Sequence, residues 1–460
     1  MTFPGNSAAS RDIAHHLHAY TNLKTHPTKG PLVIQRGQGI RVYDENGKGY
    51  IEGLAGLWCT ALGWGEERLV ETAANAMRNL SFYHTFGGKA PLPTVDLAEK
   101  LIGLAPVPMS KVFFCNSGSE AIDTAIKLVW YYNNALGRPE KKKIVSRVKG
   151  YHGVTVAAAS LTALPNNQRD FDLPLDRFLH TTCPHHYRFG KADESEEDFA
   201  TRCAADLEKL ILAEGPGTIA AFFAEPVMGA GGVIVPPKTY FDKIQPILKK
   251  YDVLFLADEV ICGFGRTGNL WGCQTFGMKP DMITTAKALS SAYLPISALM
   301  VSEGIYQALV KQSEKIGIFG HGYTYGGHPV SAAVALETLK IYEERDIVGH
   351  VRKVAPILQK GLRKLGEHPL IGEARGVGLI GGLELVKNKQ TRESFQSGDG
   401  VGPYFWDRVQ ERGLITRVIG DTIAFAPPLV ITAAEIEEML DCVAKALDDT
   451  LDWAMQKGLQ

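Results

Sequence analysis

Residues 281–300 have the sequence DMITTAKALSSAYLPISALM, an almost wholly apolar or small stretch with a single lysine, Lys287. The strand-like runs MITTAK and ISALMVS within and beside it are apolar without strict alternation. Such runs indicate strands of a mostly parallel sheet that helices cover on both faces. A lysine ammonium is rarely buried without a partner, because removing its charge from water is costly. Lys287 lies at or just after the end of a predicted strand, where it could be a nucleophilic amine with a lowered pKa. Taken alone, however, it is better explained as a lysine whose ammonium reaches solvent.

The rest of the chain extends this pattern. In the central part of the sequence, helical stretches alternate with strand-like runs, namely KIVSRV, IAAFFAEP and VLFLADE. The stretch GIRVYDENGKGYIEGLAG (39–56) predicts a hairpin that turns at Asn46-Gly47. From about residue 330, amphipathic helices mix with strands such as TIAFAPP. The sequence predicts an α/β fold with a large domain, built on a mostly parallel sheet, and a smaller α+β domain.

Composition narrows the class of protein. The chain has 460 residues and a formal net charge of −1, which gives no electrostatic reason to expect nucleic acid or an anionic membrane as a partner. No apolar run reaches the roughly 18 residues of a membrane span, and the N-terminus lacks the pattern of a secretory signal. Seven scattered cysteines without CxxC spacing argue against a disulfide framework or a zinc knuckle. We expect a cytoplasmic protein with free thiols.

Asp258 is the second candidate for chemistry. It ends the apolar run VLFLAD, 29 residues before Lys287. A lysine and an aspartate at one sheet edge match the two anchors of a pyridoxal phosphate enzyme, in which the lysine holds the aldehyde carbon and the aspartate stabilises the protonated ring nitrogen. From these two residues alone, an ion pair or a helix cap is an equal alternative.

Two loops supply further candidates. NSGSEA (116–121) places small residues between a strand and a helix N-terminus, which is a ready anion site, although Ser-x-x-Glu is also a capping box. In GYHG (150–153), Tyr151 could stack on a pyridine ring, whereas His152 has the alternative of an ordinary loop histidine.

Two more segments contain polar candidates. In HGYTYGGHP (321–329), Thr324 could donate to a phosphate oxygen. Arg417, in LITRVIGD, would clamp a carboxylate in a pocket, or lie on the surface of a strand. HTTCPHHY (180–187) suggests a metal site, but its cysteine and histidines lie too close together on one loop to complete a site without distant ligands.

Together these stretches resemble the class III aminotransferases of the fold type I pyridoxal phosphate enzymes. The signature is FLADEVICGFGRTG followed by PDMITTAKALSSAYLPISA, with VFFCNSGSEAIDTAIK, GYHG, AFFAEPVMGAGGV and HGYTYGGHP in matching order. AHHLHAYT, GLWC and LITRVIGDTIAFAPPLV are most similar to the ω-transaminases that use pyruvate. The resemblance implies an N-terminal segment (1–65) that contributes to the small domain and the pocket, a large cofactor-binding domain (66–330) and a C-terminal small domain (331–460).

The resemblance also implies a role for each site residue. Lys287 would form a Schiff base with the cofactor and act as the proton shuttle, and Asp258 would bind the ring nitrogen. Tyr151 would stack on one face of the ring, and Val260 would pack against the other. Glu225 matches an acidic residue that restrains an arginine in some relatives. The implied cofactor-binding set is Ser117, Gly118, Ser119, Tyr151, His152, Glu225, Asp258, Val260, Lys287 and Thr324. The implied substrate-binding set is Tyr20, Trp58, Phe86, Tyr151 and Arg417.

The implied function is transfer of an amino group from an amine or ω-amino acid to pyruvate by a ping-pong mechanism. Use of 2-oxoglutarate, or an aminomutase or racemase reaction, is the alternative on the same scaffold, and a binding protein that has kept the fold is a rival of another class. The family implies a homodimer, which could pair into tetramers, with Thr324 serving the neighbouring subunit. Where relatives usually have glycine, this chain has Ala288, Ala292 and Ser297, and each added Cβ restricts the backbone.

Overall fold

The computed structural model describes residues 5–460. Its first elements are α1 (Ala8–His15), α2 (His26–Lys29), β1 (Ile34–Gln38), β2 (Arg41–Asp44), β3 (Gly49–Glu52) and α3 (Ala55–Trp58). The predicted hairpin is confirmed, because β2 and β3 pair antiparallel on either side of Asn46-Gly47. Gly47 has a φ of 81°, which glycine adopts readily. The Asp44 carboxylate accepts the N–H groups of Asn46 and Lys48, both at 2.9 Å, and so holds the turn.

Seven strands form the central sheet. They are β4 (Lys111–Cys115), β5 (Lys143–Arg147), β6 (Phe178–Thr181), β7 (Ile219–Ala224), β8 (Leu254–Asp258), β9 (Met282–Thr285) and β10 (Ser297–Val301). Their order is β4-β10-β9-β8-β7-β5-β6. Only the two pairs that involve β10 are antiparallel, so the predicted mostly parallel sheet is confirmed. Strands β7 to β10 are buried along their length, which explains their mainly apolar sequences.

Helices cover both faces of this sheet. The helices of this part of the chain are α4 (Glu67–Asn79), α5 (Leu92–Leu104), α6 (Gly118–Ala135), α7 (Val156–Leu161), α8 (His186–Phe189), α9 (Glu196–Glu214), α10 (Tyr240–Lys250), α11 (Gly272–Phe276), α12 (Glu303–Ile316) and α13 (Pro329–Glu344). Of these, α5, α6, α7, α9 and α10 pack directly on the strands. Helix α6 buries Ile122, Ile126 and Val129 in an apolar cluster on one face, as their spacing predicts. Phe222 and Phe241 belong to the larger apolar cluster that includes the other face.

The remaining elements build the C-terminal part. They are α14 (Ile347–Leu365), β11 (Ile371–Val377), β12 (Ile380–Leu385), α15 (Val401–Glu411), β13 (Leu414–Ile415), β14 (Arg417–Ile419), β15 (Thr422–Phe425) and α16 (Ala433–Gln456). Strands β11, β12, β15 and β14 form an antiparallel sheet in that order. Strand β13 pairs in parallel with β3, so segments from opposite ends of the sequence share one sheet.

The three domain ranges stay a prediction. Helix α13 starts at Pro329, just before the expected boundary, and packs mainly against α4 and α5 of the expected large domain. In residues 5–460, no helix combines the length and the hydropathy that a membrane span requires.

Candidate active site

A cavity of about 180 Å³ lies where β8 and β9 end and α6 begins. Its walls are formed by Gly118, Ser119, Tyr151, His152, Gly153, Glu225, Asp258, Val260, Ile261, Ala286 and Lys287. The carboxyl ends of parallel strands are where open α/β sheets bind ligands. All of the cofactor-binding residues expected from the sequence lie in this wall except Ser117 and Thr324.

Lys287 is held in an uncommon backbone conformation. It is the first residue of a 3-10 helix, Lys287–Ser290, and has a φ of 49°. A non-glycine residue in this left-handed region costs roughly 1–2 kcal/mol, so the surrounding structure must stabilise it. The Tyr342 hydroxyl donates to the Ala288 carbonyl at 2.6 Å, and the Ser290 hydroxyl donates to the Leu294 carbonyl at 2.6 Å. These bonds fix the turn that brings Lys287 to the cavity wall.

Asp258 is buried and its carboxylate is fully engaged. Its Oδ2 atom lies 2.8 Å from Nδ1 of His152, which donates to it. Its Oδ1 atom accepts the N–H of Val260 at 3.2 Å and the hydroxyl of Thr284 at 3.3 Å. The outer nitrogen of His152, Nε2, is buried without a hydrogen-bond partner among residues 5–460. The three donors hold the carboxylate in one orientation.

The start of α6 has the features of an anion site. Ser117 is the N-cap and accepts the N–H of Glu120 at 3.2 Å, so the capping interpretation of NSGSEA is correct. The next N–H groups have no acceptor within the helix. The Ser119 hydroxyl accepts the N–H of Val154 at 3.1 Å. The same segment therefore caps the helix and presents Gly118 and Ser119 to the cavity.

Two glycines keep this end of the cavity open. A Cβ on Gly118 would lie 3.3 Å from Cγ1 of Val260, and a Cβ on Gly153 would lie 2.5 Å from Oγ of Ser119. Gly153 also has a φ of 123°, which side chains rarely adopt. Larger residues at either position would fill the space between α6 and the end of β8.

Glu225 lies under Tyr151. Its carboxylate accepts the N–H of Tyr151 and the N–H of Gly229, both at 3.0 Å. Burial raises the pKa of Glu225; His152 opposes this rise and Asp258 reinforces it. In residues 5–460 no arginine side chain pairs with the Glu225 carboxylate, and Arg147 instead donates to its backbone carbonyl at 2.6 Å. Glu225 therefore positions the loop that carries Tyr151.

Arg417 and Tyr20 lie together beside Tyr151. The Arg417 guanidinium carbon is 5.7 Å from the centre of the Tyr20 ring, a cation–π distance. Burial raises the pKa of Tyr151, with neighbouring Tyr20 adding to the rise and Arg417 opposing it. Tyr20 is 66% exposed, and its hydroxyl accepts from Nδ2 of Asn167 at 2.6 Å. Arg417 is half-buried and forms no ion pair within residues 5–460.

The other expected substrate residues separate into two groups. Trp58 is buried, and Cys59 follows it in sequence. Burial raises the pKa of the Cys59 thiol, and the nearby charge of Lys287 opposes this rise, so this segment lies close to the lysine. Phe86 is exposed and lines a different cavity, of about 960 Å³. Thr324 is also exposed. A single chain therefore does not bring Phe86 or Thr324 into the wall of the Lys287 cavity.

Four residues of the site were absent from the sequence-based prediction. Gly153, Ile261 and Ala286 line the cavity, and each is adjacent in sequence to a predicted residue, which was an available signal. Thr284 binds Asp258 because it is that residue's partner across the β8–β9 pair. The register of that pair is not visible in the sequence.

The family model for class III aminotransferases matches residues 23–447. The chain is a class III aminotransferase. Gamma aminobutyrate transaminase 3, chloroplastic, of Solanum lycopersicum is 54% identical over 421 residues, which are 91% of this chain and 81% of that protein. Gamma-aminobutyrate transaminase 1, mitochondrial, of Oryza sativa subsp. japonica is 54% identical over 421 residues, with 91% and 82% covered.

Solved structures of ω-transaminases are similar to this aminotransferase. The ω-transaminase of Pseudomonas jessenii in complex with PMP has a TM-score of 0.96 and 55% identity, covering 97% of this chain and 99% of that one. A thermostable ω-transaminase variant, W58M/F86L/R417L, engineered for asymmetric synthesis of enantiopure bulky amines, has a TM-score of 0.96 and 55% identity, with 97% and 100% covered.

The aminotransferases of this class depend on pyridoxal phosphate, and the cavity fits that cofactor. It combines a primary amine, a buried carboxylate and a helix N-terminus, which match the aldehyde, the ring nitrogen and the phosphate. Gly118 and Gly153 leave the space between α6 and β8 that a side chain would otherwise fill. The predicted family, fold class and cofactor are thus confirmed.

Proposed function

We propose that this aminotransferase passes an amino group from an amine or ω-amino acid to pyruvate in two half-reactions. The observation that carries the proposal is Arg417, a half-buried guanidinium beside Tyr20 and Tyr151 that has no acidic partner in residues 5–460. A free guanidinium next to the cofactor cavity can bind a carboxylate through two parallel hydrogen bonds. It would hold the carboxylate of the keto acid.

Each cavity residue has a role in this proposal. When bound, pyridoxal phosphate supplies an electron sink for the electron pair left on the substrate carbon after proton loss. Asp258 would accept a hydrogen bond from the ring nitrogen and favour its protonated form, and His152 fixes the orientation of the Asp258 carboxylate. Lys287 would hold the cofactor through its amine and would move the proton from the substrate carbon.

The remaining cavity residues bind and orient. Gly118 and Ser119, with the capped end of α6, hold the phosphate. Tyr151 and Val260 would contact the ring from opposite sides, and Glu225 fixes the loop that carries Tyr151 by accepting the Tyr151 N–H. None of these residues needs to gain or lose a proton during turnover.

The substrate-side residues Trp58, Phe86 and Arg417 have the same type and number as the three positions changed in the variant engineered for bulky amines. We take this as support for their place in the amine pocket. The plant relatives are named as gamma-aminobutyrate transaminases, which supports an ω-amino acid as one donor. Transfer to 2-oxoglutarate is the alternative for the second half-reaction.

We also propose that the active unit is a homodimer. Large apolar side chains are exposed in the segments that carry the expected substrate residues: Leu17, Tyr20, Leu23, Phe82, Tyr83, Phe86, Ile316, Ile318 and Tyr325. Exposed apolar surface of this extent marks an interaction site. A second copy that covers these segments would also bring Thr324 to its neighbour's phosphate. The cytoplasmic location stays a prediction.

The test is a single half-reaction followed by absorption. Purified holoenzyme is titrated with L-alanine in the absence of any keto acid, and in parallel with gamma-aminobutyrate and L-glutamate. Loss of the visible cofactor band with alanine, together with release of pyruvate, is the expected result. A response to glutamate but not to alanine would replace pyruvate with 2-oxoglutarate. Spectral change without any keto product would point to an isomerase.

A further inference from the structure

We propose that Asp12, His16, His18 and His26 form a binding site for a divalent zinc ion in the N-terminal segment. The four residues, called the N-terminal cluster below, come from the end of α1, the loop after it and the first residue of α2. None of them belongs to the cofactor cavity. One carboxylate and three imidazoles are the donor types that zinc prefers.

The imidazole nitrogens converge on one carboxylate. Nδ1 of His16 lies 3.0 Å from Oδ1 of Asp12. Nε2 of His18 lies 2.8 Å and 2.7 Å from the two oxygens, and Nε2 of His26 lies 3.1 Å from Oδ2. Two donors of a tetrahedral zinc ion, each bound at about 2.0–2.1 Å, are roughly 3.3 Å apart. The ligand atoms of Asp12, His16 and His18 all lie within 4.8 Å of one another, so a small rearrangement would place an ion among them, and His26 would join from the Oδ2 side of Asp12.

The chain path brings these donors together. Asp12 lies in α1 and His16 caps its C-terminus four residues later, where the His16 N–H donates to the Asp12 carbonyl at 2.8 Å. The segment then turns back so that the rings of His18 and His26 lie 4.3 Å apart, and those of His16 and His18 lie 4.2 Å apart. Asp12 and His26 have only 19% and 11% of their side-chain surface exposed, whereas His16 has 63%. His16 is thus the most exposed of the three histidines.

The charge around the cluster favours a cation. In the described residues, Asp12 forms ion pairs with the three histidines and with no lysine or arginine. A second group of possible donors, His185 with Glu373 and Glu384, differs in this respect. Arg375 contacts both of its carboxylates and Arg188 contacts Glu384, so fixed positive charge already occupies the place of a metal. His185 belongs to the HTTCPHHY segment, and Glu373 and Glu384 are the distant ligands that a metal site there would need. The two arginines argue against a metal at this place.

A bound ion would brace the segment that carries Tyr20. Tyr20 lies between His18 and His26 in sequence and reaches Asn167 and the ring-face contact with Arg417. Four protein donors make a closed site, which is typical of a structural rather than a catalytic metal. The ion would join α1 to α2 and limit the motion of the loop between them.

The test is metal content and cobalt absorption of the untagged holoenzyme. After treatment with EDTA, the protein is incubated with zinc chloride, passed through gel filtration and analysed for zinc. We expect about one ion per chain in the wild type and in His15→Ala, and near none in Asp12→Asn or in the His18→Ala/His26→Ala double variant. His15 is the matched control, because it is exposed, lies in the same helix and is outside the cluster.

Cobalt supplies the second measurement. Co²⁺ added to the metal-free wild type should produce the visible bands of a tetrahedral site, and the double variant should not. Zinc that stays bound in the double variant, or a wild type that retains none, would overturn the proposal. The cofactor band of each variant is recorded first, so that a loss of zinc is separated from a loss of folding. Because neither readout is turnover, failure here leaves the aminotransferase proposal intact.

Discussion

Asp258 has 4% of its surface exposed, and its carboxylate has three hydrogen-bond partners. Tyr20, in contrast, has 66% of its surface exposed, and Thr324 is also exposed to solvent. We call the residues around Lys287 and Asp258 the closed side of the site, and Tyr20, Phe86, Thr324 and Arg417 the open side. One chain completes the closed side with its own hydrogen bonds. The open side has exposed apolar rings and an arginine without an acidic partner in residues 5–460, which is the expected state of a surface that a second subunit and a substrate complete.

The largest expected effect is on the closed side. Replacement Lys287→Ala removes the covalent hold on the cofactor and the group that moves the proton. We expect turnover to fall by at least about 10³-fold, with the cofactor still bound non-covalently. Activity assays and the absorption spectrum after dialysis measure the two effects. Lys279→Ala, eight residues earlier and exposed, is the control. Near-normal turnover in Lys287→Ala would contradict the assigned role.

The next effect separates the two substrates on the open side. Arg417→Ala should lower kcat/KM for pyruvate by roughly 10- to 100-fold, the value of one lost charge-assisted interaction. The half-reaction with an apolar amine should change little, because that substrate has no carboxylate. Arg412→Ala, which only breaks a surface pair with Asp449, is the control. Equal losses in both half-reactions would mean that Arg417 supports the fold rather than the keto acid.

A smaller effect tests whether the open side is completed by the neighbouring subunit. Heterodimers of a Lys287→Ala chain and a Thr324→Ala chain, purified through two different tags, would contain one site with both residues intact. We expect about half of the wild-type activity, well above that of either homodimer, when the cofactor concentration is limiting. If Thr324 served its own chain, the heterodimer would only match the mean of the two homodimers.

The closed side was largely predictable from the sequence. Buried strands VLFLAD and MITT end in Asp258 and just before Lys287, and parallel strands of one sheet end at the same edge. The helix cap in NSGSEA could be identified from residue types alone. Thr284 could not, because its contact with Asp258 depends on strand register. The φ of Lys287 could not either, since only tertiary contacts impose a left-handed lysine.

The open side was less predictable, for a physical reason. Tyr20 and Thr324 lie outside helices and strands, and Phe86 begins a three-residue 3-10 helix, Phe86–Gly88, so neither period nor capping fixes the direction of these side chains. These residues were predicted only from the resemblance to class III aminotransferases. Within one chain, neither Phe86 nor Thr324 lines the Lys287 cavity. Their expected roles depend on contacts that are not encoded by local sequence.

The smallest effect concerns the two alanines that replace glycines beside Lys287. Ala292 is exposed and has a φ of 62°, whereas Ala288 is buried and is not among the positive-φ residues. Ala292→Gly should raise the free energy of unfolding by about 0.5–1 kcal/mol, because glycine removes the strain of the left-handed conformation. Ala288→Gly should lower it by a similar amount, roughly 0.5–1 kcal/mol, since glycine there only adds freedom to the unfolded chain.

Urea unfolding of the two holoenzyme variants at equal protein concentration measures this difference. Opposite signs would show that the glycines of related enzymes serve backbone conformation at 292 and not at 288. The same sign in both variants would instead mean that the side-chain methyls, or the contact of the Ala288 carbonyl with Tyr342, decide stability beside the lysine. In that case the left-handed turn at Lys287 would be held by its hydrogen bonds rather than by the backbone preferences of the residues that follow it.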